Sequence, residues 1–82
     1  MDANTNPAAA KTLTAYQSLT DAFVAAGVDA ALRFADDGTP WIECRRAEAN
    51  LMIVEGQWSV LRPGDDDYQP VGTRDDVLAL FA

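Results

Sequence analysis

Apolar residues change their spacing partway along the chain, and this change constrains the fold more than any other feature. From Pro7 to Ala26 they recur every three or four positions, which is the period of an amphipathic α-helix. From Val28 to Phe34 they fall on every second position, which is the period of a β-strand with one face toward a core. The chain therefore predicts an N-terminal helix followed by a sheet. The predicted helix face comprises Ala9, Leu13, Tyr16, Leu19, Phe23 and Ala26.

Capping residues set the limits of this helix. Asn6 accepts hydrogen bonds from free backbone N–H groups, and Pro7 suits a first turn because its missing N–H would have no partner there. Gly27 adopts the left-handed conformation that ends helices. We expect residues 1–6 to form a flexible tail and residues 7–82 to form one domain.

Turn residues divide the next segment into four predicted strands. Asp36-Asp37-Gly38-Thr39, the connection over residues 47–50, and Glu55-Gly56 separate them, and Pro63-Gly64 ends the last. The apolar run over residues 51–54 indicates a central strand that is covered on both faces. The predicted strands run over residues 28–35, 41–46, 51–54 and 57–62.

The remaining residues predict an acidic loop over residues 63–72 and a short final helix. Thr73 and Asp76 approximate a capping box, and acidic residues in a first turn suit the helix dipole. The expected fold is α+β: an N-terminal helix, a four-stranded antiparallel meander and a short C-terminal helix, arranged as a two-layer sandwich.

Two helices on one sheet face leave the other face open. Trp41 lies on the opposite face of its strand from Ile42, and the run over residues 51–54 places apolar atoms on both faces. The sequence leaves two alternatives: one helix crosses to the second face, or a partner covers it.

The residue types present exclude most catalytic chemistry. The 82 residues include no His and a single Cys, so neither a disulfide nor a Cys/His zinc site is expected, and Ser18 and Ser59 lack an activating base. Counted from Asp65, the positions where a calcium loop needs Gly and Glu hold Pro70 and Asp76. We expect a non-enzymatic protein without metal or cofactor.

The expected location is the cytoplasm. No apolar run is long enough to span a bilayer, and the N-terminus lacks the positive charge and apolar stretch of a signal peptide. A single thiol, expected in the core, fits a reducing compartment.

Acidic residues dominate the charge, which is −7 overall, and seven of the 13 occur in three clusters. Such a chain attracts basic surfaces and repels nucleic acid and anionic membranes. A turn accounts for Asp36-Asp37 and a helix cap accounts for Asp75-Asp76, whereas Asp65-Asp66-Asp67 has no local role that the sequence reveals. The residues predicted to bind a partner are Asp65, Asp66, Asp67, Tyr68, Trp41, Glu43, Asp36 and Asp37.

The expected function is a small protein-interaction module, an inhibitor that docks on a basic and possibly nucleic-acid-binding partner surface. Anti-CRISPR and DNA-mimic proteins of phages share this small, acidic, cofactor-free profile, as do antitoxins and immunity proteins. No motif here identifies one of these families. The alternative is a homo-oligomeric structural or accessory subunit joined through the sheet face around Trp41 and Met52, whose acidity only provides solubility.

Overall fold

The structure, a computed structural model, describes the backbone of residues 7–81 and the side chains of residues 11–81. The predicted tail and the side chain of Ala9 lie outside these residues. The elements in chain order are α1 (Pro7–Ala25), β1 (Ala30–Phe34), β2 (Pro40–Cys44), β3 (Ala49–Val54), β4 (Gln57–Leu61), β5 (Gln69–Gly72) and α2 (Arg74–Phe81).

The five strands form one antiparallel sheet in the order β1-β2-β3-β4-β5. The α+β fold class and the order of helix, meander and helix are therefore confirmed. The predicted number of four strands is wrong, because the segment interpreted as an acidic loop over residues 63–72 contains β5.

The sequence does not predict the fifth strand, because its amino-acid composition is unfavourable for a strand. Its sequence is Gln-Pro-Val-Gly, and Pro cannot donate to a sheet ladder. An edge position removes that objection, since one side of an edge strand needs no partner. Pro70 pairs with Ser59, beside an irregularity in the β4–β5 ladder between Trp58 and Ser59.

The hairpin between β3 and β4 forms at the predicted two-residue turn. Val54 pairs with Gln57, and the two residues between them, Glu55 and Gly56, have φ angles of 51° and 80°. Positive φ at both central positions matches the right-handed twist of the flanking strands. This turn fixes the register of the central part of the sheet.

Both helices lie on the same face of the sheet. Phe23 of α1 and Phe81 of α2 meet edge to face at 5.8 Å, and Val77 of α2 is buried in the common core. This placement shows that the alternative in which one helix crosses to the second face is wrong, because no described helix covers that face. Cover by a partner stays a prediction. The buried core residues are Tyr16, Leu19, Phe23, Ile42, Cys44, Ala49, Leu51, Trp58, Val60 and Val77.

The predicted face of α1 is confirmed at its centre and wrong at its ends. Tyr16, Leu19 and Phe23 are buried, whereas Leu13 is 37% exposed and the helix ends one residue before Ala26. Phe34, predicted to face the core from β1, is 56% exposed. Leu13 and Phe34 line one shallow apolar cleft at the margin of the core, together with Gly38 and Pro40. Neither described helix is long and apolar enough to cross a membrane.

Tyr16 joins α1 to the centre of the sheet. Its ring meets Trp58 of β4 edge to face at 4.8 Å, and its hydroxyl accepts a hydrogen bond of 2.6 Å from the N–H of Ile53. The paired residues of β2 and β3 end at Ile42 and Leu51, so Ile53 lies beyond that ladder. The hydroxyl thus satisfies a backbone donor in a largely buried position.

We expect Tyr16→Phe to lower the free energy of unfolding by about 1–3 kcal/mol, because the N–H of Ile53 then loses its partner in a site shielded from water. Urea unfolding followed by tryptophan fluorescence measures the change. Tyr68→Phe is the matched control, since the hydroxyl of Tyr68 makes no hydrogen bond with the described residues. Equal stability of the two variants would contradict this role of Tyr16.

The capping box that begins α2 requires glycine at the preceding position. Asp76 Oδ2 accepts hydrogen bonds from the N–H and hydroxyl of Thr73, and the Thr73 hydroxyl accepts one from the N–H of Asp76. The bonds from Thr73 lower the pKa of Asp76. A Cβ on Gly72, whose φ is 133°, would lie 2.5 Å from that Oδ2.

We expect Gly72→Ala to destabilise the protein by about 2–4 kcal/mol, the combined effect of backbone strain and a displaced cap. Gly38→Ala is the control, because Gly38 also has a positive φ of 90° but has open space around its Cβ position. We expect a loss of only about 1 kcal/mol there. Thermal unfolding by circular dichroism compares the two, and equal losses would show that the contact with Asp76 is unimportant.

Candidate functional site

The sheet face opposite the helices, here called the outer face, carries the candidate site. Side chains alternate along each strand, so Trp41 and Glu43 of β2 lie opposite to the buried Ile42 and Cys44. In the same way Asn50 and Met52 of β3 lie opposite to Leu51. The predicted placement of Trp41 and Glu43 on one face is confirmed.

Two open grooves cross the outer face, and Tyr68 contributes to both of them. The first, here called the Trp41 groove, has a volume of about 330 Å³ and is also lined by Ala35, Asp37, Thr39, Trp41, Asn50 and Met52. The second, here called the Ser59 groove, has a volume of about 400 Å³ and is also lined by Val54, Glu55, Gln57, Ser59, Asp67 and Pro70. Tyr68 therefore separates a cavity over β2 and β3 from a cavity over β3, β4 and β5.

Tyr68 reaches this position through the loop that connects β4 to β5. Two hydrogen bonds close the start of the loop: Asp65 N–H donates to the Arg62 carbonyl, and Arg62 N–H donates to Asp65 Oδ2. The Tyr68 side chain is half-buried, and this burial raises the pKa of its hydroxyl, which therefore stays neutral at physiological pH. The ring provides an aromatic surface in the middle of the outer face.

The two grooves each contain a carboxylate that the backbone holds in place. Asp37 Oδ1 accepts a 2.9 Å hydrogen bond from Thr39 N–H, and Asp67 Oδ1 accepts a 2.8 Å bond from Tyr68 N–H. The bonds from Thr39 lower the pKa of Asp37, which keeps it ionised. The Thr39 side chain is a second hydrogen-bond partner of Asp37, whereas Asp67 Oδ2 makes no hydrogen bond with the part of the chain that the structure describes.

Every charged residue that lines the two grooves is acidic. Asp37 lines the Trp41 groove, and Glu55 and Asp67 line the Ser59 groove, while no Lys or Arg among the described residues lines either one. These three carboxylates take part in none of the ion pairs found over residues 11–81. The outer face thus combines aromatic surface with uncompensated negative charge.

Glu43 differs from the other predicted partner-binding residues because basic neighbours offset its charge. Its Oε1 lies 3.1 Å from Arg33 Nη2 and 3.9 Å from Arg45 Nη1. Arg45 binds Asp29 more closely, at 2.5 Å. Glu43 lies on the outer face but lines neither groove, so we leave it outside the candidate site.

The structure separates the three carboxylates of the Asp65-Asp66-Asp67 cluster by role. Asp65 and Asp67 make the loop hydrogen bonds described above, which corrects the interpretation that the cluster has no local role. Asp66 is exposed and makes no such bond within the described chain. Asp36 is likewise exposed, in the turn beside Asp37. Of the acidic residues predicted to bind a partner, only Asp37 and Asp67 line the grooves.

Sequence reasoning missed Glu55 and Ser59 as groove residues. The sequence predicts only a turn at Glu55, and Ser59 lies in a predicted strand whose alternation indicates no function. Ser59 is 2% exposed and donates a 3.3 Å hydrogen bond to the Gln57 carbonyl. Its burial depends on β5 and the Tyr68 loop, which no short-range pattern predicts.

The described residues offer little to a covalent reaction. Cys44 is fully buried, and this burial raises the pKa of its thiol to about 11. Among residues 7–81 no group of three or more Cys, Asp or Glu side chains is placed to hold a metal ion. The grooves therefore contain binding surface and fixed charge, without a nucleophile activated by a neighbouring base.

Comparisons with protein-family models, with curated proteins and with solved structures found no match.

We expect Cys44 in the folded protein to resist a soluble thiol reagent at pH 8, because the reactive thiolate is scarce and the sulfur is inaccessible. In about 6 M urea the same thiol should react within seconds to minutes, because unfolding restores an ordinary pKa and access to solvent. Absorbance of the released thiolate measures both rates. Fast modification of the folded protein would contradict the core position of Cys44.

Proposed function

We propose that this protein is a small, non-enzymatic interaction module that docks on a basic protein surface through its outer face. The observation that carries the proposal is the pairing of two grooves, lined by Trp41 and Tyr68, with a charged lining that among the described residues consists of carboxylates. Aromatic surface provides contact area and the carboxylates select for positive charge.

The distribution of aromatic and polar residues on the outer face is typical of a protein-binding surface. Hot-spot residues are enriched in Trp and Tyr and lie near the centre of an interface, surrounded by a polar, solvent-accessible rim. Here Tyr68 lies centrally, with Trp41 and Met52 on one side, while Asp37, Glu55 and Asp67 provide the polar surroundings. Asp36 and Asp66, both exposed in the two flanking loops, add to the negative potential that steers a basic partner.

An inhibitory role follows from this chemistry if the basic surface of the partner also binds nucleic acid. Carboxylates on the outer face then occupy the positions that phosphates would take, and the two ligands compete. We therefore extend the proposal to the kind of inhibition that anti-CRISPR and DNA-mimic proteins, antitoxins and immunity proteins perform. The likeness to these classes consists of small size, negative charge and the acidic outer face.

The side chains that usually perform catalysis are missing or inaccessible in this chain, which favours a binding function over an enzymatic one. The chain contains no His, its thiol is buried, and Ser59 is engaged with the Gln57 carbonyl. A reduced, single Cys suits the cytoplasm, which we propose as the location.

A homodimer through the outer face is the competing proposal, favoured by the apolar contribution of Trp41, Met52 and the half-exposed Val54. The acidic lining of both grooves argues against it, because a two-fold axis would bring like charges together. If the protein is nevertheless a homodimer, its acidic residues serve solubility alone.

The test uses the intact protein as bait in extracts of its own cells, beside two variants. Trp41→Ala removes a groove ring outside the helix-facing core, and Asp21→Asn removes one charge from the exposed surface of α1, on the other side of the sheet. We expect a basic protein to be retained by the wild type and by Asp21→Asn and lost with Trp41→Ala. Its dissociation constant should rise at least tenfold between about 50 and 200 mM salt.

Three results would count against the proposal. A dissociation constant independent of salt removes the electrostatic basis, and a partner equally retained by Trp41→Ala moves the interface elsewhere. A stable dimer in light scattering that Trp41→Ala converts to monomer would favour the competing proposal. If the captured protein binds nucleic acid, an added oligonucleotide should displace the acidic protein, and its failure to do so would contradict the inhibitory role.

A further inference from the structure

We infer that the outer face binds an extended, arginine-bearing segment of its partner, with one guanidinium in each groove. This inference deepens the proposed function and rests on it. It specifies the backbone shape of the ligand and which of the two basic side chains the site prefers.

The size and division of the site favour an extended ligand over a helix. A helix 10–12 Å wide and 5.4 Å per turn occupies roughly 420–600 Å³ for a single turn. The grooves measure about 330 and 400 Å³, and Tyr68 separates them. Neither groove has room for a full helical turn, whereas each accepts a long side chain delivered from a backbone that passes over Tyr68.

The spacing of the grooves fits an extended chain. The Trp41 groove lies over β2 and β3, and the Ser59 groove lies over β3, β4 and β5. Their centres are thus separated by one and a half to two strand spacings, or about 7–10 Å. Side chains two apart on a β-strand are about 7 Å apart, and those three apart on a polyproline II chain are about 9 Å apart.

The chemistry of each groove favours Arg over Lys. A guanidinium is planar, so it can lie on the ring of Trp41 or Tyr68 while its edge donates to a carboxylate. Asp37 and Asp67 supply that carboxylate, and in each a backbone N–H that donates to Oδ1 fixes its orientation. An ammonium group is a compact, strongly hydrated charge that forms no such planar contact.

The chain's own arginines do not occupy this position. Arg33 lies on the outer face but pairs with Glu43 at 3.1 Å, and Arg45 pairs with Asp29. Arg62 lies over the ring of Phe81, 5.7 Å from its centroid. No arginine among the described residues lines either groove, so a guanidinium from outside the chain meets no internal competitor there.

The experiment compares two synthetic peptides of about twelve residues, one of alternating Arg and Gly and one of alternating Lys and Gly. They carry equal charge and differ in the shape of the cationic group. Titration into the isotope-labelled protein at low salt is followed by proton–nitrogen correlation spectra. We expect the Arg peptide to bind about five- to tenfold more tightly and to shift the Trp41 indole and Tyr68 amide signals more than that of the buried Trp58 indole.

Matched variants separate stacking from charge. Tyr68→Phe keeps the ring, so we expect the Arg preference to persist, whereas Tyr68→Leu should reduce it to less than about twofold. Asp37→Asn and Asp67→Asn should each weaken the Arg peptide by about threefold or more. Asp21→Asn, with the same change in net charge, should weaken it by less than twofold because that residue lies on the other side of the sheet.

Equal affinity for the two peptides would overturn the arginine inference and leave docking on a basic surface intact. Shifts confined to residues outside the grooves would overturn the placement of the ligand. Absence of binding by either peptide would also overturn it, and the salt-dependent, Trp41-dependent capture of an intact partner would then decide the proposed function independently.

Discussion

The contact between Tyr16 and the sheet is the interaction on which the rest of the structure depends. One side chain provides both an edge-to-face contact with Trp58 and the hydrogen-bond acceptor for Ile53 N–H. In a chain of 82 residues with a single Cys, the core is small and each buried group carries a large share of the stability. Tyr16 also fixes the face of the sheet on which α1 lies. Because α2 packs against α1 through Phe23 and Phe81, that choice determines the position of both helices.

Because both helices lie on one face of the sheet, no described helix shields the outer face from solvent. The loop between β4 and β5 supplies part of it by bringing Tyr68 over the sheet and Pro70 beside Ser59. The loop covers only part of the outer face, and the two grooves are the part that stays open to solvent. The candidate site is therefore a consequence of the fold, since an antiparallel sheet buried on one side keeps a second surface that evolution is free to use.

The acidic residues divide into those that serve local structure, those that line the grooves, and those that are only exposed. Asp76 caps α2 and Asp65 closes a loop, so their charges have a structural use. Asp37 and Asp67 combine both roles, because the bond that shapes each turn also orients the carboxylate beside a groove. A carboxylate held in this way loses little conformational entropy when it binds a cation, which is the advantage of preorganisation. Glu43, in contrast, is neutralised by Arg33 and contributes little to the potential.

The sequence by itself determined the helix of residues 7–25, four of the five strands, the two-residue turn at Glu55-Gly56 and the cap at Thr73. These features depend on side-chain period, turn residues and hydrogen bonds within a few positions, all of which are local. The sequence also predicted Trp41, Tyr68, Asp37 and Asp67 as site residues, but not that they line the same pair of grooves.

Only the tertiary structure decided the fifth strand, the common face of the two helices and the grooves on either side of Tyr68. Each of these depends on contacts between residues distant in the chain: Pro70 is tolerated in a strand because β5 lies at an edge, and Tyr68 gains its place because its loop returns over β3 and β4.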